Sequence, residues 1–538
     1  MTPYRSIAET LEAVASRRGR LAKVARLAET LSAVDEEDLP AAARFLSGSP
    51  FAEHEAATTS AGWATIVAAA REVTGWDDQT LAACAGAIGD LGEAVALLLP
   101  ATVAEGPSIA DAEALFRALS RARKASEKRA LLAQLLRRSS AVEAKYLLKT
   151  LSGGLRVGAD LATIEEGIAA AFGRLREEVA RAHRDSGDIG ETALAARQDR
   201  LSEIRFRLFH PIGFMLASPI ETADEVVEEL SGFAVEDKFD GIRAHAHKQG
   251  DRVALFSRTL DDVTAQFPDV AAGLSSLPGT FLLDGEILAW REDRAESFFK
   301  LQRRLGRKAP DAALLEEIPA TFVAFDCLAE GAEALFETPW EERRKRLERL
   351  ASGGGLRLST VFTAADPGAL EALFAAARGR GNEGLVLKDR LSLYQAGRRG
   401  RAWRKWKKAL ATLDVVVTAV EQGHGKRAGM LSDYTFAVRG EEGFVNIGKA
   451  YSGLTDEEIR RMGTVFRGLT TARYGPVRAV EPKIVIEVSF DSIQQSTRHR
   501  SGYALRFPRI VRLRPDKGPA DVATVEDVRA IHERLTGA

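Results

Sequence analysis

The sequence predicts a multidomain fold: an all-α region first, an α+β region next, and an all-β region of small-barrel type last. Three observations lead there. At 538 residues the chain is too long for one hydrophobic core and suggests about three or four domains. Residues 1 to about 205 are rich in Ala, Leu, Glu and Arg, with apolar positions at helical spacing. From about 211 short alternating or apolar runs take over, and from about 411 they read as a small antiparallel barrel.

In the first region, "SIAETLEAVASRRGRLAKVARLAETLSAV" and "KASEKRALLAQLLRRSSAVEAKYLLKTL" both carry the helical period. The second stops at Gly153-Gly154, and "LRVGADLATIEEGIAAAFG" then opens another helix with Asp160 and Thr163 as candidate caps. The polar, glycine-bearing "HRDSGDIGETALAARQDR" reads as a linker. In the second region "RVALFSR", "GTFLLDGEILAW", "TFVAFDCL" and "EGLVLKD" read as strands, with "PWEERRKRLERLA" and "PGALEALFAAARG" as helices between them. In the third, "LDVVVTAVEQG", "DYTFAVRG", "FVNIGKAYSG" and "KIVIEVSFDSI" are the barrel strands.

Composition narrows the class of protein. Hydrophobic residues make up 45% and charged ones 28%, as in an ordinary soluble globular chain. A formal net charge of −1 advertises no nucleic acid, although basic residues can still be sorted onto one face. Two cysteines, Cys84 and Cys327, suit a reducing cytosol and are expected to be buried packing residues. No signal-type apolar core and no run of membrane-spanning length is seen, so a cytoplasmic location without membrane contact is expected.

The chemistry begins in "AVEDKFDGIRAH", where Lys238 stands between acids and is followed by Asp240-Gly241 and Arg243. A lysine nucleophile must be neutral when it attacks, and nearby cations, a metal or burial favour that form. By itself the stretch is weak evidence. Downstream, in order, stand Arg258 in "FSRTL", Glu286 in "LLDGEILAW", Phe325 in "FVAFDCL" and Glu383 in "NEGLVLKD". Lys405 and Lys407 in "AWRKWKK" follow, and then "LRFPRIVRLRPDK". Together they offer a nucleophile, cations for a triphosphate, carboxylates for a hard metal and a ring for a base. His245 and His247 share the strand face of Arg243 and read as core or solvated histidines, not metal ligands. The "GHGKRAG" turn (423–429) lacks P-loop spacing.

This ordered set resembles the six nucleotidyltransferase motifs of the ATP-dependent DNA ligases. Flanking stretches are similar too, among them "SAVEAKYLLKTLSGGLRVGADLATIEEGIAAAFG" and "VNIGKAYSGLTDEEI", so the resemblance covers essentially the whole chain. It implies a helical DNA-binding domain over 1–205, an adenylation domain over 211–408 and an OB-fold domain over 411–538. It also implies roles. Lys238 is the lysine that becomes adenylylated, Glu236 accepts from the adenine amino group, and Phe325 stacks on the base. Glu286 lies near the ribose and, with Glu383, places metal. Arg243 and Arg258 hold nucleotide and the DNA 5′-phosphate, while Arg399, Lys405 and Lys407 are phosphate-binding cations. Asp516 and Lys517 of "RPDK" reach the β and γ phosphates in the first step. Asp237 is left as a solvent-facing acid.

The implied cofactors are ATP as AMP donor and Mg²⁺, with Mn²⁺ as an alternative metal. The implied partner is nicked double-stranded DNA, sealed by a monomer, and no sliding-clamp peptide is evident. The basic residues Arg121, Arg123, Lys124, Lys128, Arg129, Arg137, Arg138 and Lys145, together with Arg156, are expected on the DNA backbone, so binding should weaken with salt. A capping guanylyltransferase or RNA ligase is the nearest alternative, and a nick-binding scaffold without catalysis the alternative from another class.

Overall fold

The structure, a computed structural model, describes residues 1–538 except 56, 89, 100–105, 293, 297, 308, 408–410, 424–426, 428, 475–476, 497–498 and 537–538. The chain forms two compact units, Met1–Gly62 with Val103–Lys408 and Trp63–Thr102 with Ala409–Ala538. Among the described residues no helix is long and apolar enough to cross a membrane.

The first unit opens with packed helices. Ala141–Leu151 starts at a capping box in which the Ser140 amide donates to Glu143 Oε2 at 2.8 Å, and it ends where Gly153 takes φ 70°. Leu161–Phe172 starts at Asp160, which accepts from the Thr163 amide at 3.0 Å. Gly167 lets this helix press onto the one over Arg20–Ala33: a Cβ there would lie 2.8 Å from Leu27 Cβ.

The stretch read as a linker is helical instead, over Arg176–Ser186 and Ile189–Arg197. Gly187 at φ 65° ends the first helix, and Asp188 caps the second by accepting from the Gly190 amide. Its polarity misled because the polar groups turn inward: Asp188 pairs with Arg44 at 2.5 Å, and Thr192, Ala193 and Ala196 are fully buried.

Two sheets follow. Strands β1 (Leu216–Ile220), β2 (Phe233–Lys238), β3 (Ile242–Gln249), β4 (Arg252–Ser257), β5 (Phe281–Arg291), β6 (Ala320–Glu330), β7 (Val361–Phe362), β8 (Gly384–Asp389) and β9 (Arg399–Trp406) build them. One sheet runs β1-β9-β8-β2-β7, with only the β1–β9 pair parallel; the other is built on the antiparallel order β4-β3-β5-β6, to which three two-residue strands add, Arg357–Leu358 pairing parallel with β6. The chain passes between sheets through residues 239–241. A Cβ on Gly241 would meet Ile287 O at 2.5 Å, so this turn requires glycine.

Three apolar layers follow from strand alternation. Val235, Leu385, Leu387 and Trp406 pack beneath the helix Pro367–Gly379, while Ala244, Ala246, Leu283 and Ile287 line a second core. Ala234, Phe325, Trp403, Tyr394 and Trp340 form a third. Cys327 is buried as expected, but Cys84 is only half-buried.

In the second unit the long strand Ala411–Gln422 pairs antiparallel with Leu431–Gly440 along one side. On its other side it pairs with Val485–Phe490 and then with Val477–Val480. Gly443–Ala450 and Arg509–Leu513 extend the sheet, and bulges interrupt the register after Val417 and Glu421. Val415, Val417, Tyr434, Phe436, Ile486 and Val488 fill its core. Of the 423–429 turn, residues 424–426 and 428 lie outside the described residues, while Arg427 pairs with Asp456 at 3.0 Å.

Candidate active site

Lys238 ends β2, where the register places Gly384 opposite it. Its Nζ lies 2.7 Å from Glu383 Oε2, and its carbonyl accepts from the Glu383 amide at 2.8 Å. Neither side chain is closed off: Lys238 is 23% and Glu383 25% exposed, so a substrate can reach both. Lys407 approaches the same carboxylate at 3.9 Å. Burial pushes the Glu383 carboxyl up, but Lys238 and Lys407 outweigh it and hold the acid below its ordinary range.

Glu286, on β5 opposite Arg243, behaves in the contrary way. Burial raises its pKa to about 8, Lys238 and Arg243 offset part of that, and the negative Glu383 and Asp284 add to it. Two neighbouring carboxyls are thus pushed apart in pKa. Burial also lowers the Lys405 pKa, and Arg399, Lys238, Lys407 and Arg258 lower it further. These five cations therefore share one field, as a polyphosphate requires. Among the described residues no group of three or more His, Cys, Asp or Glu side chains is arranged to hold a metal.

The Glu286 value has a measurable consequence. A folded carboxyl titrating near 8 keeps a proton that the unfolded chain has released, so the associated stability is full below the ordinary pKa and declines as pH rises toward 8. The thermal midpoint of the wild type should fall between about pH 5 and 8 more than that of Glu286→Gln, which imitates the protonated acid. Parallel curves for the two proteins would show that Glu286 ionises normally.

Arg243, paired across the strands with Glu286, belongs to a polar network. Arg243 donates to Asp284 from Nε at 3.0 Å and from Nη2 at 2.6 Å, and to Met215 O from Nη1 at 2.7 Å. The Tyr394 hydroxyl donates to Asp284 at 2.8 Å and meets His245 Nε2 at 3.1 Å. Arg243 also lies 5.5 Å from the Phe325 ring centroid. His245 and His247 are fully buried core residues, and burial lowers both pKa values, so they are neutral near pH 7. Glu236 is buried beside Lys388, and Phe325 belongs to the third apolar core.

The family described as "ATP dependent DNA ligase domain" matches residues 214–407, "DNA ligase N terminus" matches 3–169, and "ATP dependent DNA ligase C terminal region" matches 427–517. A "Probable DNA ligase" of Koribacter versatilis is 45% identical over 98% of this chain and 96% of its own length. The chain belongs to the ATP-dependent DNA ligase family. A "DNA ligase" of Methanoculleus marisnigri is 33% identical over 98% of this chain and 97% of its own. The solved structure Pmar-Lig_PreS3 shares the fold, with TM-score 0.62 and 16% identity over 94% of this chain and 99% of that one.

Within this ligase-family chain Asp237, Lys128 and Lys145 sit otherwise than the sequence suggested. Asp237 is not solvent-facing: Arg380 pairs with it at 2.7 Å and Asn382 donates to it at 2.9 Å. Lys128 is buried and donates to Thr59 O and Ser60 O, and Lys145 pairs with Glu12 at 2.7 Å, so these two brace the helices. Arg156 is exposed, with φ 51°, in the loop between the helices Ala141–Leu151 and Leu161–Phe172. In the second unit Lys517 pairs with Asp414 at 2.6 Å. Asp516 accepts from Arg514, whose hydrogen bond brings its pKa down to about 2.

Asp284, Lys388 and Tyr394 were not singled out from the sequence. The available signal was a charged or polar residue inside an apolar strand run, as Asp284 in "FLLDGEILAW" and Lys388 in "EGLVLKD".

Proposed function

We propose that this chain seals nicks in duplex DNA through a covalent lysyl-AMP intermediate. The observation that supports this most is Lys238 Nζ beside Glu383, within the shared field of Arg258, Arg399, Lys405 and Lys407. The neutral Lys238 amine attacks the α-phosphorus of ATP; a P–N bond forms, the bond to the β-phosphate oxygen breaks, and pyrophosphate leaves. Glu383 is the nearest base for the ammonium proton. Glu236 and Phe325 receive the adenine, Glu286 the ribose side, and Arg243 and Arg258 the nucleotide and the 5′-phosphate. AMP then passes from Lys238 to that 5′-phosphate. Finally the 3′-hydroxyl attacks it, AMP departs, and the strand is continuous.

Glu286 and Glu383 would hold Mg²⁺, which takes one or two carboxylates and completes its shell with water and phosphate oxygens. Burial raises the Glu286 pKa, with Glu383 and Asp284 adding to it, and a cation held there would favour its charged form. The metal would supply charge neutralisation at the transferring phosphoryl group. Exposed cations of the helical region, such as Arg156, would grip the duplex backbone without reading sequence. We place the protein in the cytoplasm as a monomer acting in DNA replication, repair or recombination.

The test is labelling. Wild-type protein with Mg²⁺ should take up covalent, alkali-stable and acid-labile label from α-labelled ATP and not from GTP or NAD, and nicked DNA should discharge it. Absence of label from every nucleotide would sink the enzyme reading, and label from GTP alone would favour capping. Asp516 and Lys517 are assigned to the β and γ phosphates, so Lys517→Ala should slow self-adenylylation at least ~10-fold while sealing of pre-adenylylated nicks stays near wild type. Equal losses in both assays would remove that role.

A further inference from the structure

Asp237 has no part in the steps above, yet its carboxylate is held at three points. Arg380 donates to Oδ2 from Nε at 2.8 Å and to Oδ1 from Nη2 at 2.7 Å, and Asn382 Nδ2 donates to Oδ2 at 2.9 Å. The Asp237 side chain is 9% exposed and Asn382 is buried, while Arg380 is exposed. A two-pronged guanidinium contact fixes direction as well as distance. The partners also sit at a particular point of the chain. Asp237 immediately precedes Lys238, and Asn382 immediately precedes Glu383. The β2–β8 ladder ends at the Lys238–Gly384 pair, so Lys238 and Glu383 stand where the sheet stops. Beyond that pair the Glu383 amide still donates to Lys238 O at 2.8 Å, but the ends of ladders open easily. Asp237 adds three side-chain bonds across the same gap, from the sheet face opposite Lys238. The segment it grips is itself anchored. The Asn382 amide donates to Ala377 O at 3.0 Å and Arg378 donates to Asn382 O at 2.9 Å, so residues 380–382 ride on the end of the helix Pro367–Gly379.

We propose that Asp237 is a positioning residue: by clamping Arg380 and Asn382 it sets Glu383 against the Lys238 amine and holds nucleophile and base at one separation for attack on the nucleotide. The proposal rests on the lysyl-AMP reading above and adds to it a residue that touches neither the nucleotide nor the reacting atoms. The Lys238–Glu383 pair needs such support, because it is partly exposed and solvent weakens its own attraction. Misplacing reacting groups by about 1 Å can cost ~100-fold in rate. The groups assigned to base and phosphate lie outside the clamp: Glu236 faces the other side of β2, and Arg399 and Lys405 stand on β9. Loss of the clamp therefore acts on the rate of attack and leaves nucleotide affinity in place.

Single-turnover self-adenylylation over a range of ATP concentrations separates rate from affinity. In Asp237→Ala the rate at saturating ATP should fall about 10- to 100-fold, while half-saturating ATP stays within about twofold of wild type. Arg380→Ala should show the same pattern in smaller measure, because Asn382 still holds Asp237. Arg380→Lys, which restores one charged donor, should recover part of that loss. Should Asp237→Ala fail to fold, the two Arg380 variants carry the test, since that side chain is exposed and its replacement spares the core. Wild-type rates at saturation in the variants would overturn the assignment. So would a loss that appears as weaker ATP affinity, or one that follows a lowered thermal midpoint and is not recovered by Arg380→Lys. No label from ATP on the wild type would instead overturn the ligase reading, so the two failures are distinguishable.

Discussion

Lys238→Ala is expected to reduce self-adenylylation and the sealing of nicked DNA with ATP by at least ~10⁴-fold, the scale on which enzymes lose rate when a nucleophile is removed. Lys238 Nζ lies 2.7 Å from Glu383 and within the shared cation field. Fold stability should change little, because the Lys238–Glu383 pair is about a quarter exposed and solvent screens it. Lys407 also remains near Glu383 in the variant. Sealing of a nick already carrying 5′-AMP bypasses the lysine and should survive in large part. Covalent label from ATP persisting in Lys238→Ala would assign the nucleophile elsewhere.

Asp284→Ala should have the largest effect on stability of any single change in the site, about 3–5 kcal/mol, as expected when one partner of a buried ion pair is removed. The Asp284 carboxylate has no exposure and receives two bonds from Arg243 and one from Tyr394. Its loss leaves the Arg243 guanidinium, only 18% exposed, without the carboxylate it is paired with. Burial raises the Asp284 pKa, but Arg243 and His245 outweigh that and hold it well below the ordinary value. Its stabilisation is therefore present at neutral pH and lost only as pH falls through the depressed pKa, opposite to Glu286. The double variant Arg243→Met/Asp284→Leu should regain most of the stability, since apolar groups of similar volume replace buried pairs well. It should not regain self-adenylylation, if Arg243 contacts nucleotide. Thermal unfolding and labelling on the same preparations separate the outcomes. A stable Asp284→Ala would show that the network is not what holds Arg243.

The two variants fail for different reasons, and the sequence reveals only one of them. Lys238 is legible because its neighbours are local: the β2 strand, the glycine turn at 241 and the start of β3 lie within a dozen residues. Helix caps at Ser140 and Asp160 and the strand periods are legible for the same reason. Asp284 is not, because its partners stand 41 residues away at Arg243 and 110 away at Tyr394. Its alternation with apolar neighbours is compatible with a surface or a buried face, and only the packing of the two sheets selects the buried one.

The misread stretches have one origin. "HRDSGDIGETALAARQDR" has the composition of a solvated connection, yet Asp188 is paired with Arg44, 144 residues earlier. Lys128 has the composition of a DNA contact, yet its ammonium is satisfied by the carbonyls of Thr59 and Ser60. Asp237 has the look of a free acid, yet Arg380 and Asn382 come back to it from the far side of a helix. Charge states the cost of burial, but not whether a partner exists to offset it.

By itself the sequence determined the order of helical, mixed and β regions, the family through its ordered motifs, and the turn that presents Lys238. Those rest on short-range periodicity and sterics, which a few adjacent residues encode. Tertiary structure alone decided which charges are free for substrate and which are spent. It gathered Lys238, Glu286, Glu383 and the cations around Lys405 together, linked Arg243, Asp284, Tyr394 and His245 in one network, and set Lys388 against Glu236. The physical reason is that a charge interacts with whatever the fold brings within a few ångströms, and here those partners come from strands far apart in the chain.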